Sequence, residues 1–239
     1  MTRFIAIAAT ALAVSACHFG DRDESRDAGT TVTRTYQVGA FDKIEVAGPY
    51  EVTVTTGGKP GVSATGGNKL LEDTDVVING STLRIRPKHH KGINLFWGGK
   101  GKAQITVTTA MLNAAEIAGP GAVTIDKVAG DFKGEVAGSG RMKLAAVNGG
   151  AMDFSIAGSG SITAAGKATS TSVEIAGSGD FDSSGLDAFD TDVSIAGSGN
   201  VRANASGTAK VEIVGSGNVT ITGGAKCEID KTGSGNVTC

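Results

Sequence analysis

The chain has 239 residues, of which 37 are glycine, and a formal net charge of −2 at neutral pH. This glycine content is about twice the usual value, but the glycines lack the every-third spacing of collagen and alternate with Ile and Val, unlike those of a flexible linker. A slightly negative net charge does not attract nucleic acid, which argues against nucleic-acid binding. The chain is long enough to form one elongated hydrophobic core.

The N-terminus has the features of an export signal. Arg3 carries a positive charge, residues 5–14 form an apolar run of signal-peptide length, and the sequence Val-Ser-Ala precedes Cys17. Together with Cys17, this sequence resembles the lipobox of bacterial lipoproteins, which implies cleavage before Cys17 and acylation of its thiol and of its new amino group. The alternative is ordinary signal-peptidase cleavage after Ala16, with no lipid on Cys17.

The segment after the cleavage site is polar and charged, with almost nothing to bury, so residues 17–30 are predicted to form a flexible tether. His18 stands where Asp would resemble an inner-membrane retention signal, which favours the outer membrane. Several acyl chains would anchor the protein stably to that membrane. The predicted organisation is therefore a signal peptide at 1–16, a lipidated tether at 17–30 and a single domain at 31–239.

The first part of the predicted domain is less regular than the rest. Residues 41–49 read FDKIEVAGP, which anticipates a motif repeated later, and an alternating strand follows at 50–55. The 71 residues from Gly48 to Gly119 leave room for three or four coils that are larger than the later ones. The stack of coils is therefore predicted to begin near residue 41.

A glycine motif repeats through the second half of the chain. Counted from its first glycine, the phrase I/V-A-G-S-G or a close variant occurs at Gly119, Gly138, Gly158, Gly177, Gly197, Gly215 and Gly233, with steps of 19, 20, 19, 20, 18 and 18 residues. Such a regular period is typical of one supersecondary unit stacked many times. Because glycine permits positive φ, the motif is predicted to form a sharp corner that turns one strand into the next.

Apolar residues alternate with polar residues on both sides of the motif, which predicts strands with one buried face. Because such a coil cannot pair strands within itself, each coil must pair in parallel and in register with its neighbours, about 4.8 Å apart. The predicted fold class is all-β, a parallel β-helix with coils of about 19 residues. The inward columns are Ile117, Val136, Ile156, Ile175, Ile195 and Ile213; Phe154, Val173, Val193 and Val211; and Val123, Met142, Ile162, Phe181, Val201, Val219 and Val237.

Two outer features are candidate contact surfaces. The first is a row of serines along the corner, beside an asparagine ladder, although solenoid geometry alone also accounts for both rows. The second is the basic stretch at 87–102, in which Phe96 and Trp97 could stack on a sugar ring or could instead form a flap that packs on the solenoid. The serine row consists of Ser139, Ser159, Ser178, Ser198, Ser216 and Ser234, and the ladder of Asn200, Asn218 and Asn236.

Cys227 and Cys239 are predicted to form a disulfide, because export places them in an oxidising compartment. Cys239 is in the inward phase, six residues past Gly233. Cys227 is inward in either of two alignments, six residues before Gly233 or at the position equivalent to Val211 with two extra residues following. The bridge would close the last coil, whose edge is otherwise open. Two buried free thiols are the alternative.

Several non-repetitive segments resemble a known family. FDKIEVAGPYEVTV at 41–54, NKLLED at 68–73, NGSTLRIRPK at 79–88 and QITVTTAMLNAAEIAGPG at 104–121, together with the GSG repeats, are similar to the head GIN domain family of auto-transporter adhesins. The resemblance covers about residues 31–239. It implies a right-handed parallel β-helix of the pectate-lyase type, a location in the bacterial envelope and no established catalytic residues.

The predicted function is that of a non-enzymatic, lipid-anchored outer-membrane protein that binds or scaffolds, with a glycan or an envelope or cell-surface protein as its partner. No catalytic residue, cofactor, metal or nucleic acid is expected. The aspartates between 180 and 192 are close in sequence, but most alternate outward. The alternatives are a polysaccharide-active β-helix enzyme, which needs paired carboxylates in a groove, and a periplasmic structural or stress lipoprotein without a ligand.

Overall fold

The computed structural model describes residues 29–88 and 103–239. This part of the chain is mostly β-structure, with one short helix, and contains no helix long and apolar enough to cross a membrane. The described elements are β1 (Thr31–Tyr36), β2 (Lys43–Ala47), β3 (Glu51–Thr56), β4 (Gly61–Gly67), α1 (Asn68–Glu72), β5 (Thr74–Asn79), β6 (Thr82–Pro87), β7 (Gln104–Thr109), β8 (Ala114–Ala118), β9 (Ala122–Ile125), β10 (Val128–Ala129), β11 (Phe132–Gly138), β12 (Arg141–Asn148), β13 (Ala151–Gly158), β14 (Ser161–Gly177), β15 (Asp180–Gly197), β16 (Asn200–Ala205), β17 (Thr208–Gly215), β18 (Asn218–Thr222), β19 (Lys226–Gly233) and β20 (Asn236–Thr238).

Parallel strands stack into a solenoid with two long sides. The first side, before the corner, consists of β6, β2, β8, β11, β13, residues 170–177, residues 190–197, β17 and β19. The second side, after the corner, consists of β7, β3, β9, β12, residues 161–164, residues 180–183, β16, β18 and β20. Equivalent residues such as Ile156, Ile175, Ile195 and Ile213 pair in register. The predicted fold class, an all-β parallel solenoid with a repeat of about 19 residues, is confirmed.

A bend after the second long side completes the later coils. Register shifts occur between Leu144 and Val147, between Thr163 and Ala165, and between Ser183 and Asp187. Irregularities of this kind bend a strand and absorb extra residues. They therefore allow coils of different length to stack while both long sides keep their register.

The N-terminal region differs from the prediction. Instead of three or four larger coils, it provides one coil formed by β6 and β7 and an antiparallel cap. In the cap, β4 pairs with β7 and β1, and β5 pairs with β6 through the two-residue turn Gly80–Ser81, where Gly80 has φ +62°. Because this region lacks the repeated glycine corner, its strands reverse direction. The reversed strands cover the first end of the stack.

The coils at this end are not stacked in chain order. The strand β2 pairs with β6 on one side and with β8 on the other, and β3 pairs with β7 and β9 in the same way. The coil of residues 43–56 therefore lies between two coils formed later in the chain. The solenoid does begin near residue 41 in chain order, as predicted, but the coil of β6 and β7 lies beyond this first coil in the stack.

Tyr50 ties this inserted coil to the cap. It occupies the third position of the Gly48–Pro49–Tyr50 corner, where the later motifs have glycine, and is 1% exposed. Its hydroxyl lies 3.1 Å from Thr74 Oγ1, while the Thr74 hydroxyl donates to the carbonyl oxygen of Leu70 at 2.7 Å. The Tyr50 hydroxyl is therefore the donor to Thr74. Burial raises the pKa of Tyr50 above its ordinary value, which keeps this donor protonated.

The predicted inward columns form the core. Their members from Ile117 to Val219 are at most 1% exposed, whereas Val237 in the last described coil is half-buried. The opposite faces of the same strands point to solvent, as the alternation predicts. The hydrophobic effect thus acts on continuous apolar columns that run along the solenoid.

Three phenylalanines adjoin one another inside the solenoid. The ring centroids of Phe132 and Phe154 are 6.3 Å apart, and those of Phe154 and Phe181 are 5.1 Å apart. Gly134 pairs in register with Phe154, and a Cβ on Gly134 would lie 2.8 Å from Phe154 Cδ1. The missing side chain of Gly134 therefore provides the space that the ring of the next coil occupies.

The glycine corner is fixed by the coil beneath it. Gly177 has φ +129°, and a Cβ there would lie 2.5 Å from the carbonyl oxygen of Gly158. A Cβ on Gly179 would lie 2.5 Å from Ile156 Cγ2. The central Ser178 instead has an exposed side chain. The motif therefore requires glycine at both ends and admits a side chain in the middle.

The last described coil contains a disulfide between Cys227 and Cys239. Cys227 pairs in register with Ala209, so the alignment six residues before Gly233 is correct and the alignment with Val211 is wrong. Cys227 is partly buried against the core. Cys239 continues the register of the buried Ile221, the expected inward phase, and is bonded to Cys227, but it is exposed. The reason is that no described strand covers the far side of this coil.

The inward and outward assignments predict different mutational costs. Ile175→Ala should lower the free energy of unfolding by about 2–5 kcal/mol, because it removes a buried side chain and leaves a cavity. Ser178→Ala, on the exposed corner of the same coil, should change it by less than about 0.5 kcal/mol. Urea denaturation of both variants checks this order. A larger loss for Ser178→Ala would contradict the assignment.

Candidate functional site

The predicted serine row is a continuous exposed corner. All six side chains, those of Ser139, Ser159, Ser178, Ser198, Ser216 and Ser234, are exposed. The backbone N–H groups of Ser159, Ser178, Ser198, Ser216 and Ser234 donate to glycine carbonyl oxygens of the preceding coil at 2.8–3.0 Å. We call this row the serine corner. Its backbone is fixed by the stack, and its hydroxyl groups face solvent.

Small residues also border the serine corner along the first long side of the solenoid. Ala137, Ala157, Ala176 and Ala196 are exposed and pair in register, and Val214 continues the column with 55% of its surface exposed. The sequence alone assigns no role to this alanine column. Its signal was present, since alanine precedes glycine in most copies of the I/V-A-G-S-G phrase. Together, the two columns form a surface of low relief.

The asparagine ladder lies on the other side of the corner. Asn218 Nδ2 donates to Asn200 Oδ1 at 3.0 Å, and Asn200 Nδ2 donates to Asp180 Oδ1 at 2.9 Å. Asn236 follows Asn218 in register. The ladder predicted from the sequence thus includes an aspartate at its other end. Its hydrogen bonds connect neighbouring coils and stabilise the stack.

Four of the aspartates between 180 and 192 serve as local hydrogen-bond acceptors, namely Asp180, Asp182, Asp187 and Asp190. Asp187 accepts from Asn204 Nδ2 at 2.8 Å, and Asp190 accepts from the backbone N–H and hydroxyl of Thr208 at 2.9 and 2.6 Å. The hydroxyl and the backbone N–H of Ser184 lower the pKa of Asp182. An ionised carboxylate held in this way is a poor proton donor, which disfavours a general-acid role for Asp182. Among residues 29–88 and 103–239, no three His, Cys, Asp or Glu side chains are grouped to hold a metal.

Three glutamates stack on one another on the first long side. Glu45, Glu116 and Glu135 pair in register on adjacent coils. Arg84 Nε lies 2.7 Å from Glu45 Oε2, and Lys133 Nζ lies 2.6 Å from Glu135 Oε1. Glu116 is between the two ion pairs. Burial, followed by the negative charges of Glu45 and Glu135, raises the pKa of Glu116 above its ordinary value.

An open groove of about 580 Å³ lies at the beginning of β11. Met111, which is 56% exposed, lines it together with Asp131, Lys133 and Asp153. Asp131 Oδ1 accepts a hydrogen bond from the backbone N–H of Ala151 at 2.8 Å, so this carboxylate supports the adjacent coil. The groove therefore combines one large exposed apolar side chain with charges of both signs.

The family model described as "Putative auto-transporter adhesin, head GIN domain" matches residues 40–225. The chain belongs to the head GIN domain family. Its resemblance to this family, first drawn from the segments between 41 and 121 and the GSG repeats, is confirmed. No curated protein matches the chain.

Solved structures share the head GIN fold. A "putative adhesin" from Bacteroides fragilis has a TM-score of 0.79 and 21% identity, over 87% of this chain and 96% of that one. A "putative lipid binding protein" from Parabacteroides distasonis has a TM-score of 0.66 and 22% identity, over 88% and 96%. A "putative adhesin" from Parabacteroides merdae has a TM-score of 0.65 and 17% identity, over 88% and 96%.

Some predicted site residues lie outside the described part of this head GIN chain. They are Cys17, the predicted lipidation site, and Phe96 and Trp97, the aromatic pair of the basic stretch. Within the described part, the structure places the predicted serine corner next to the alanine column. The lipidation of Cys17 and the contact role of Phe96 and Trp97 stay predictions.

The glutamate stack predicts a pH-dependent stability. Because the pKa of Glu116 is higher in the folded than in the unfolded chain, its contribution to stability increases as the pH falls through the folded pKa, and at neutral pH its ionised form opposes folding. Glu116→Gln should stabilise the protein at neutral pH by about 0.2–1 kcal/mol, as for relief of a like-charge cross-strand pair. It should also reduce the gain on acidification. Urea denaturation at neutral and mildly acidic pH measures both effects.

Glu174→Gln is the matched control for this prediction. Glu174 occupies the same column, but its register neighbours are the uncharged Ser155 and Ser194. Its replacement should stabilise the protein less than Glu116→Gln at neutral pH. Equal effects of the two substitutions would contradict the stacking argument.

Proposed function

We propose that this head GIN protein is a non-enzymatic, lipid-anchored binding module of the outer membrane. Its partner would be a glycan or an envelope or cell-surface protein that lies along the serine corner. The observation that carries the proposal is the row of six exposed serine side chains on a corner whose backbone is fixed by the preceding coils. The adhesin description of the family supports a binding function.

The serine corner suits a long partner with repeated polar groups. Its hydroxyl groups are both donors and acceptors and recur once per coil, about 4.8 Å apart. Serine loses little side-chain entropy when it is held by a ligand, in contrast to Lys or Glu. Each hydrogen bond contributes only about 0.5–1.5 kcal/mol, so useful affinity requires several coils to contact the same partner. A linear polymer satisfies this condition.

The anchor proposal rests on the sequence before and at Cys17. The apolar run and the lipobox-like segment support export followed by acylation, and the polar residues 17–30 would separate the solenoid from the membrane surface. The lipid would then hold the protein at the envelope without a membrane-spanning helix.

The enzyme alternative needs two carboxylates that can act on one bond. The groove at β11 contains Asp131 and Asp153, but the hydrogen bond from Ala151 holds Asp131. Asp182, Asp187 and Asp190 of β15 accept local hydrogen bonds. These contacts favour a structural role for the acidic residues and support the binding module over the enzyme.

The lipid anchor can be tested with Cys17→Ser. This substitution removes the thiol that would receive the lipid, so the protein should move from the membrane fraction to the soluble fraction. Cell fractionation followed by mass spectrometry of the N-terminal peptide measures location and acylation together. Unchanged membrane partition and an unmodified wild-type peptide would contradict the lipoprotein proposal.

The binding surface can be tested by placing bulky charges on the serine corner. The double variant Ser178→Arg/Ser198→Arg should weaken the capture of purified outer-membrane glycan or whole cells by about tenfold or more, since the side chains would hold a partner away from the corner. Thr163→Arg/Thr220→Arg is the control, because these threonines are exposed on the second long side. Trp97→Ala tests the basic stretch as the alternative surface. Equal capture by wild type and all three variants would favour a structural lipoprotein without a ligand.

A further inference from the structure

The last described coil breaks the pattern of the core at one position. Ile213 and the equivalent residues of the preceding coils are at most 1% exposed, but the residue in register with Ile213 is Lys231. Ile229, in register with the buried Val211, is 51% exposed. The free side of this coil thus has an inward-phase lysine beside an exposed isoleucine.

Contacts within the coil hold this end together. Lys231 Nζ donates to the carbonyl oxygen of Gly235 at 2.8 Å, on the other side of the Gly233 corner. Cys227, in the first strand of the coil, is bonded to Cys239 beyond the second strand. The two sides of the coil are therefore joined once by a covalent bond and once by a charged hydrogen bond.

A charge at an inward position opposes further stacking. If another coil covered this end, the Lys231 ammonium would be placed against a column of apolar residues and would lose its hydration. Inward-pointing charges are a recognised means of preventing unwanted pairing at free strand edges. The strands of the preceding coils do not need this protection, because both of their edges are already paired.

The two ends of the solenoid differ in this respect. At the first end, the antiparallel strands β1, β4 and β5 and the helix α1 cover the coil of β6 and β7. That end is closed by folded chain. Among residues 29–88 and 103–239, the end at β19 is closed only by the side chains of its own coil.

We propose that Lys231, with the Cys227–Cys239 disulfide, is an end cap that prevents two copies of this protein from stacking through their β19 ends. Replacing Lys231 with the isoleucine found elsewhere in the column converts this end into an apolar surface with a free strand edge. Because the opposite end is covered, such a variant associates through two identical ends. It therefore forms a closed two-fold dimer and not a filament.

Sedimentation velocity of the full chain in detergent, over a wide range of concentrations, tests the proposal. Lys231→Ile should form dimers with a dissociation constant at least about tenfold lower than that of the wild type. Lys210→Ile is the matched control, because Lys210 is exposed on the outer face of the preceding coil and the substitution changes charge and volume equally. Lys231→Arg, which keeps the charge, should behave as the wild type does.

Circular dichroism confirms that each variant is folded before it is compared, and Lys231→Met provides a second apolar replacement with a flexible side chain. The proposal is overturned if both apolar replacements of Lys231 associate no more than the wild type. It is also overturned if Lys210→Ile associates as strongly as Lys231→Ile, because a general loss of charge would then explain the result.

Discussion

The structure depends on parallel pairing in register between successive coils. A strand within one coil has no partner in that coil, so its backbone donors and acceptors must be satisfied by the coils on either side. Equivalent positions are therefore brought next to each other along the whole solenoid. At the corner this constraint is most severe, because the backbone of Gly177 passes so close to Gly158 that no side chain fits between them. The repeated glycines are thus a packing requirement between coils as well as a requirement of the turn.

The same pairing controls where charges can be placed on the outer surface. Glu45, Glu116 and Glu135 lie directly opposite one another on adjacent coils, and their negative charges repel. The ion pairs of the two outer glutamates with Arg84 and Lys133 offset part of this repulsion. The coils from β13 to β17 avoid this arrangement, although Glu212 of β17 pairs with Asp230 of the last described coil. Asp153 and Asp192 each pair with Ser172, while Glu174 pairs with serine on both sides. Acidic residues thereby alternate between two neighbouring columns, and adjacent coils have no like charges directly opposed at these positions.

The repetitive part of the fold could be predicted from the sequence because each coil repeats the same local evidence. The inward column through Ile175 and the exposed Ser178 follow directly from a period of two on either side of a glycine corner. The cap could not be predicted in this way, since β1, β4 and β5 pair antiparallel and have no repeated counterpart. The position of Cys227 was ambiguous because the last coil has lost the Ile column that fixes the alignment elsewhere. The repeated alanine of the column beside the serine corner is evident in the sequence, but its exposure depends on the pairing between coils.

The insertion of residues 43–56 between two later coils also affects the order in which the protein can fold. In the second half of the chain, a strand finds its partner about one coil away in sequence, as Ile156 does with Ile175. At the other end, Lys43 pairs with Ala114 and Glu51 pairs with Ala122, so loop closure costs more conformational entropy. During synthesis or export from the N-terminus, the first strands therefore emerge long before their partners. The later coils can form by local pairing, and the earliest segment of the solenoid is then completed against a surface that they supply.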